Sequence, residues 1–361
     1  GLPDTNKVVG QLGDMVVWQY YKESRDIFLP QGQTPPAWDE HNPPPSACEA
    51  PSGALILSQV GKTPNVLDES GEPFLTGPLI DQNGLYTRFE ILTNKVMFDY
   101  IVTNTLYNQE GQTKFAKQAN FPFTEANKDG AIMLKAAWKV MGDGDNTKDF
   151  YTTDAYVYDN PDENAGVTPH CSIQKVGLVG FHIANKLAGN KQWIWSTFEH
   201  VNNAPTQGQT ATKTHYNYFK PNCDDCTTVN TPPDRPWNPS NRHTAPSQVE
   251  RVIPIDAATT ALNAHYHRLL QQASADTVWV NYELVSTQWP TAPGSTTDSM
   301  GAPAPKFLAN TTLETYIQGD VKQVSSSCIN CHGNATMTNG KSSDFTYLLQ
   351  RAQAKGDNDD E

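Results

Sequence analysis

Apolar side chains along this chain switch between two periods. Residues 14–28 (DMVVWQYYKESRDIF) and 94–107 (NKVMFDYIVTNTLY) repeat them at i, i+3, i+4 and i+7, the spacing of a helix with one buried face. The first stretch opens on Asp14, whose carboxylate suits a helix N-terminus, and stops at Leu29-Pro30. Residues 256–273 (DAATTALNAHYHRLLQQA) predict a third helix, capped by Asp256; its His265 and His267 are two apart, on different faces, and do not form a chelating pair. Elsewhere the period is that of strands, at 85–90, 131–141 (AIMLKAAWKVM), 150–158 (FYTTDAYVY), 176–184, 193–201 and 277–288. The acidic loop GDGDNTKD at 142–149 is expected to join two of these as a hairpin. The clearest hairpin is GLVGFHIA, a turn through Ala188-Gly189-Asn190, then WIWSTFEHV. Short helices are expected at 312–318 and, capped by Ser343-Asp344, at 345–354.

This order of elements predicts an α+β protein: an antiparallel, sandwich-like sheet core between residues 131 and 288, peripheral helices, and a helical C-terminal segment. At 361 residues the chain exceeds the roughly 250–300 at which single cores stop growing. It divides into a body at 1–305 and a C-terminal segment at 306–361 packed on it. Its 26 prolines, 24 glycines and charged fraction of 18% suit a loop-rich protein. Long irregular stretches surround Cys48 and the run Cys223-Asp224-Asp225-Cys226; a loop of that length needs tying down, so Cys48 is expected to be bridged. No run of 18 apolar residues occurs, so no transmembrane helix is expected. The opening at Gly1, with no signal peptide, is expected of a mature product.

The C-terminal segment carries the most specific short motif, Cys328-Ile329-Asn330-Cys331-His332. Two thiols at this spacing can add across the two vinyl groups of one haem, and the next side chain then lies under the iron as its proximal imidazole. The plainer alternative is a disulfide, or half a zinc site, with a histidine beside it by chance. Residues 327–333 resemble the haem attachment site of the c-type cytochromes. More widely, GLVGFHIANK, WIWSTFEHVNN, the strand ending in TQWP, and LANTTLETYIQ leading into SSCINCHGNA resemble a group of bacterial cytochrome c family proteins of unassigned role. The resemblance covers roughly half the chain. It implies one covalent haem c, held by Cys328 and Cys331 with His332 as proximal ligand, in a periplasmic or secreted protein; it implies nothing about a substrate. Phe345, Leu348 and Leu349 are expected to pack on the porphyrin.

In an oxidising compartment the other four cysteines, Cys48, Cys171, Cys223 and Cys226, read as two disulfides with three possible connectivities. The C-x-x-C at 223–226 is followed by Thr227, so it is not a second haem site, and a zinc site made with Cys48 and Cys171 is the remaining alternative. Asp143, Asp145 and Asp149 have the chemistry to ligate calcium, but their loop lacks the central glycine and terminal glutamate of an EF-hand, and a plain acidic turn is expected.

Only 29 residues follow His332, too few to wrap a haem. The other haem face is therefore expected to be covered by upstream residues, another subunit or water. His182 and His200 are the candidate distal ligands, with His200 preferred because Glu199 and Asn202-Asn203 mark a strand end; the register decides whether the two share a face. Met300 lies in a span read as flexible and solvent-exposed, and Met337 lies close to the proximal side. The net charge of −13 argues against nucleic acid or an anionic membrane and favours a basic redox partner, although much of it sits in the tail at 357–361, expected to be frayed. The expected function is electron transfer by an exported mono-haem cytochrome. A haem peroxidase or oxidase, or a ligand sensor, with a distal pocket built by the β body is the alternative. Peroxidase chemistry wants an arginine beside a distal histidine, and none of the seven arginines adjoins His182 or His200 in sequence.

Overall fold

The computed structural model describes residues 16–58, 77–126, 128–159, 170–213, 215–234, 245–318 and 326–356. The expected cap Asp14 and the acidic tail at 357–361 lie outside them.

Strand β6 (His170–Asn185) is the axis of the fold, because its central residues are paired along both edges. From Val176 onward it takes β4 (Ile132–Val140) on one edge, and from Gly180 it takes β7 (Ile194–His200) on the other. Its first half pairs with β5 (Thr152–Asp159), which shares the β7 edge, since Val176 and Gly177 are bonded to β4 and β5 at once. The sheet continues through β3 (Arg88–Thr93) and β1 (Lys22–Glu23) beyond β4, and through β8 (Tyr282–Pro290) and β9 (Pro303–Ala304) beyond β7. β2 (Ile56–Leu57) adds to β5 as the parallel pair among these antiparallel ones. The α+β class and the antiparallel sheet are thus as expected. Among the described residues the nine strands form one sheet, and the second layer over each face is built there of helices, 3-10 turns and loops rather than of a facing sheet. β4 is buried along its whole length, as a central strand covered on both faces must be.

One face of the sheet carries Leu134, Trp138, Phe181 and Tyr282 in a core with Trp18, Tyr151, Phe198 and Trp279. The other carries Met133, Ala184 and Trp195 in a core with Met97, Phe121, Ile329, Leu348 and Leu349. The C-terminal segment therefore contributes to the same core as the body. At the junction of β4 and β6 a bulge gives β6 one extra residue between Leu178 and Gly180, which keeps Leu178 with Phe181 on the first face.

Local signals hold where a cap fixes them. α1 (Lys95–Thr103) starts at Asn94, whose side chain accepts from Met97 N at 3.1 Å, and α3 (Ala257–Ala273) starts at Asp256, which accepts from Ala258 N and Thr259 N at 2.9 and 3.0 Å. α2 (Gln109–Phe115) follows after a turn. The helix expected at 14–28 does not form. From residue 16 the chain makes a 3-10 turn (Val17–Tyr20), pairs as β1 with Leu92 and Thr93, and turns again (Ser24–Asp26). The open edge of β3 wins over the amphipathic pattern, and the buried Lys22 ammonium donates to the carbonyls of Ala37, Trp38 and Glu40.

The hairpin expected between 131–141 and 150–158 is also corrected, for β4 and β5 pair with opposite edges of β6 rather than with each other. Their loop is pulled inward instead: Lys139, buried at the end of β4, is salt-bridged to both Asp81 and Asp145. The last two expected helices shrink to 3-10 turns, Thr315–Ile317 and Tyr347–Arg351. The span read as flexible folds back on itself, with Ala292 N donating to Gly301 O at 2.8 Å and Asp298 accepting from the backbone of Met300 and Ala302.

Disulfides join Cys48 to Cys171, across 123 residues, and Cys223 to Cys226. A zinc site built from these four cysteines is thereby replaced. Among the described residues no helix is long and apolar enough to cross a membrane.

Candidate functional site

α4 (Cys328–His332) is a single helical turn with a well-defined start. Ser327 Oγ accepts from Asn330 N, Cys331 N donates to Ser327 O at 2.9 Å, and Gly333 N donates to Ile329 O at 2.8 Å. Gln288 of β8 fastens this turn to the sheet: its Nε2 lies 3.1 Å from Ser327 Oγ, and its Oε1 accepts from Ile329 N at 2.8 Å. The turn places Cys328 and Cys331, three residues apart, on one side, both half-buried and outside the disulfides. Ile329 points the other way, fully buried in the core with Trp195, Met337 and Leu348.

His332 packs its ring on Trp195 of β7, centroids 4.2 Å apart, and on the edge of Tyr347 at 5.3 Å. Its Nδ1 lies 3.0 Å from the carbonyl oxygen of Phe345; a carbonyl only accepts, so Nδ1 carries a proton, and in the neutral ring Nε2 is then the unprotonated nitrogen. Tyr347 OH donates to Cys331 O at 2.9 Å, and burial pushes its pKa up to about 12. The Trp195 indole N–H is buried without a hydrogen-bond partner among the described residues. Met300 is half-buried, not exposed as expected, and its thioether seats on Gly333: a Cβ built there would lie 2.0 Å from Sδ. Met337, Leu348 and Leu349 are buried in the core beneath α4, with Phe345 packed against it.

The register settles the two strand histidines. His182 lies opposite Thr197, which puts it on the Trp195 face and His200 on the reverse. His200 Nε2 donates to Asp149 O at 2.9 Å, and its Nδ1 accepts from Asn202 N at 3.1 Å. The ring stacks on Phe150 at 4.1 Å, and burial holds its pKa down to about 4. With both nitrogens bonded to backbone on the face away from His332, His200 is a sheet-core histidine, which corrects its expected role as distal ligand. His182 is likewise committed, its Nε2 at 3.0 and 3.1 Å from the two carboxylate oxygens of Glu314.

Beside that pair, Asn310 donates to Thr197, and Glu199 takes both Arg251 Nη2 at 2.8 Å and Thr311 N at 2.6 Å. These bonds register the segment leading to α4 against the sheet. The aspartates of the 142–149 loop do not converge: Asp145 binds Lys139, Asn83 and Gly142 N, Asp149 binds Asn146, and Asp143 is exposed. Among the described residues no group of three or more His, Cys, Asp or Glu is arranged to hold a metal ion.

Comparison with protein-family models, with curated proteins and with solved structures found no match. The site's chemistry is therefore argued from its own residues. Those that sequence reasoning missed are Gln288, Trp195 and the turn that presents Phe345 O. Gln288 and Trp195 lie within stretches singled out for their resemblance, TQWP and WIWSTFEHV, but nothing local marks them as neighbours of α4.

Proposed function

We propose that the chain is an exported electron-transfer protein carrying one haem c at α4. Cys328 and Cys331 would hold it through thioethers and His332 would be the proximal ligand; when bound, the haem supplies reversible one-electron chemistry. One observation carries the reading: the hydrogen bond from His332 Nδ1 to Phe345 O, which orients the imidazole and selects the metal-binding tautomer in a turn that already sets two thiols on one side. Ser327 and Gln288 hold that turn, while Trp195 and Tyr347 pack on the ring. The two disulfides agree with export into an oxidising compartment. The net charge of −13 would steer a basic redox partner.

The test is extraction in acidified organic solvent together with a visible spectrum in both oxidation states. The parent chain is expected to retain its haem, and the Cys328→Ala, Cys331→Ala double variant to release it. A parent chain purified from a host competent for haem attachment that carries no covalent haem would sink the proposal. The peroxidase, oxidase or sensor reading is not favoured by any observation here, since His182 and His200 are both engaged within the protein.

A further inference from the structure

Asp344 and Phe345 are consecutive non-glycine residues with left-handed backbone, φ 56 and 64. A bulky aromatic side chain rarely adopts that conformation, and it persists only where the surroundings impose it. Here the imposing contacts can be named. The Asp344 carboxylate is buried; it pairs with the Lys186 ammonium, itself buried, and accepts from Phe121 N at 2.7 Å. Lys186 Nζ is fixed in turn by the carbonyl of Lys191 at 2.8 Å, across the β6–β7 turn. On either side, Ser343 N donates to Ala335 O at 3.1 Å, Ser343 Oγ donates to Thr346 O, and Leu348 N donates to Thr346 Oγ1. What this strained turn presents is the Phe345 carbonyl, 3.0 Å from His332 Nδ1.

We infer that the buried Lys186–Asp344 ion pair is a positioning device for His332: it holds the 343–346 turn in a conformation that aims the Phe345 carbonyl at the imidazole. This rests on the haem reading above. A carbonyl accepting the Nδ1 proton makes Nε2 more electron-donating, which stabilises the oxidised form of a metal bound there. The β6–β7 hairpin thereby tunes a histidine it does not itself contain. Lys186 and Asp344 act through the backbone and are positioning residues.

The test compares reduction potentials of the full-length haem-loaded protein with those of Lys186→Met and Asp344→Asn. Asparagine tolerates left-handed backbone and can still accept from Phe121 N, so this variant removes the charge with the least damage to the fold. Both variants are expected to keep covalent haem and to shift the oxidised-to-reduced ratio at a fixed potential about tenfold toward the reduced form, a rise in midpoint of ~59 mV for one electron. Glycine at 345 is not strained by a positive φ, so in a Phe345→Gly background the effect of Asp344→Asn is expected to shrink. Midpoints unchanged in Asp344→Asn, with haem bound and circular dichroism intact, overturn the inference, as does an equal shift in both backgrounds. A parent chain without covalent haem overturns the reading beneath it instead.

Discussion

The two faces of the sheet at β6 and β7 are built on opposite principles. On one, Phe181 stacks on Phe198 at 4.7 Å and Tyr151 on Trp279 at 5.0 Å, with Trp18 tilted on Trp138 at 6.1 Å. On the other, His182, Thr197 and Glu199 meet Glu314, Asn310, Thr311 and Arg251 through hydrogen bonds and ion pairs, with little exposure to water. Aromatic contacts are strong but weakly directional, whereas a buried hydrogen bond made one residue out of place leaves two unsatisfied groups. The aromatic face therefore supplies stability, and the polar face specifies where the segment leading to α4 must lie.

The largest expected effect tests the aromatic face. Trp138→Ala removes a fully buried indole and should cost about 3–5 kcal/mol in urea unfolding while leaving the spectrum of the proposed haem unchanged in the folded protein. Next comes Glu199→Ala, which leaves Arg251 buried with only Glu283, 3.6 Å away, as a carboxylate neighbour. It should cost about 3 kcal/mol and expose the chain after residue 310 to limited proteolysis. Unchanged cleavage there would remove the registering role from the polar face.

The aromatic face also holds two groups whose titration should shape stability against pH. Burial pushes Glu90, bonded by Trp138 Nε1 at 2.8 Å, up to about 8 from the ordinary 4.5 of a glutamate. A carboxyl raised on folding stabilises the folded state when protonated, so that contribution is complete below 4.5 and lost as pH rises through about 8. For His200, lowered from 6.5 to about 4, the stabilising form is neutral, and stability is lost as pH falls from 6.5 through 4. Thermal unfolding should accordingly weaken on both sides of a mildly acidic optimum, and Glu90→Gln should reduce the alkaline decline, on the order of 1–3 kcal/mol at pH 7.5, with the remainder left to Glu23, which burial raises to about 7.

His200→Ala should cost about 1–2 kcal/mol, chiefly for Asn202 N, which loses its acceptor while Asp149 O keeps Asn281 Nδ2 at 2.9 Å, and should leave the spectrum of the proposed haem as in the parent. A changed spectrum would return it to the site. The smallest effect belongs to the exposed Lys175–Asp154 pair, where Asp154→Ala should stay within about 0.5 kcal/mol by chemical denaturation.

What the sequence determined by itself was set by residues within a few positions of one another. Asn94 and Asp256 announced helix starts because a cap bonds to its own next turn, and the alternation around 177–201 announced a hairpin; C-x-x-C-H, on which the haem proposal rests, is likewise a pattern of five consecutive side chains. Only the tertiary structure decided which edge β5 takes, that 16–26 joins the sheet, and that His182 and His200 turn their backs on each other. The same holds for Gln288 at Ser327, Met300 on Gly333 and Lys186 on Asp344, contacts between residues 33 to 158 positions apart. Periodicity says that a face will be buried and not against what; the partner is chosen by strand register and by buried charges that must find each other across the fold.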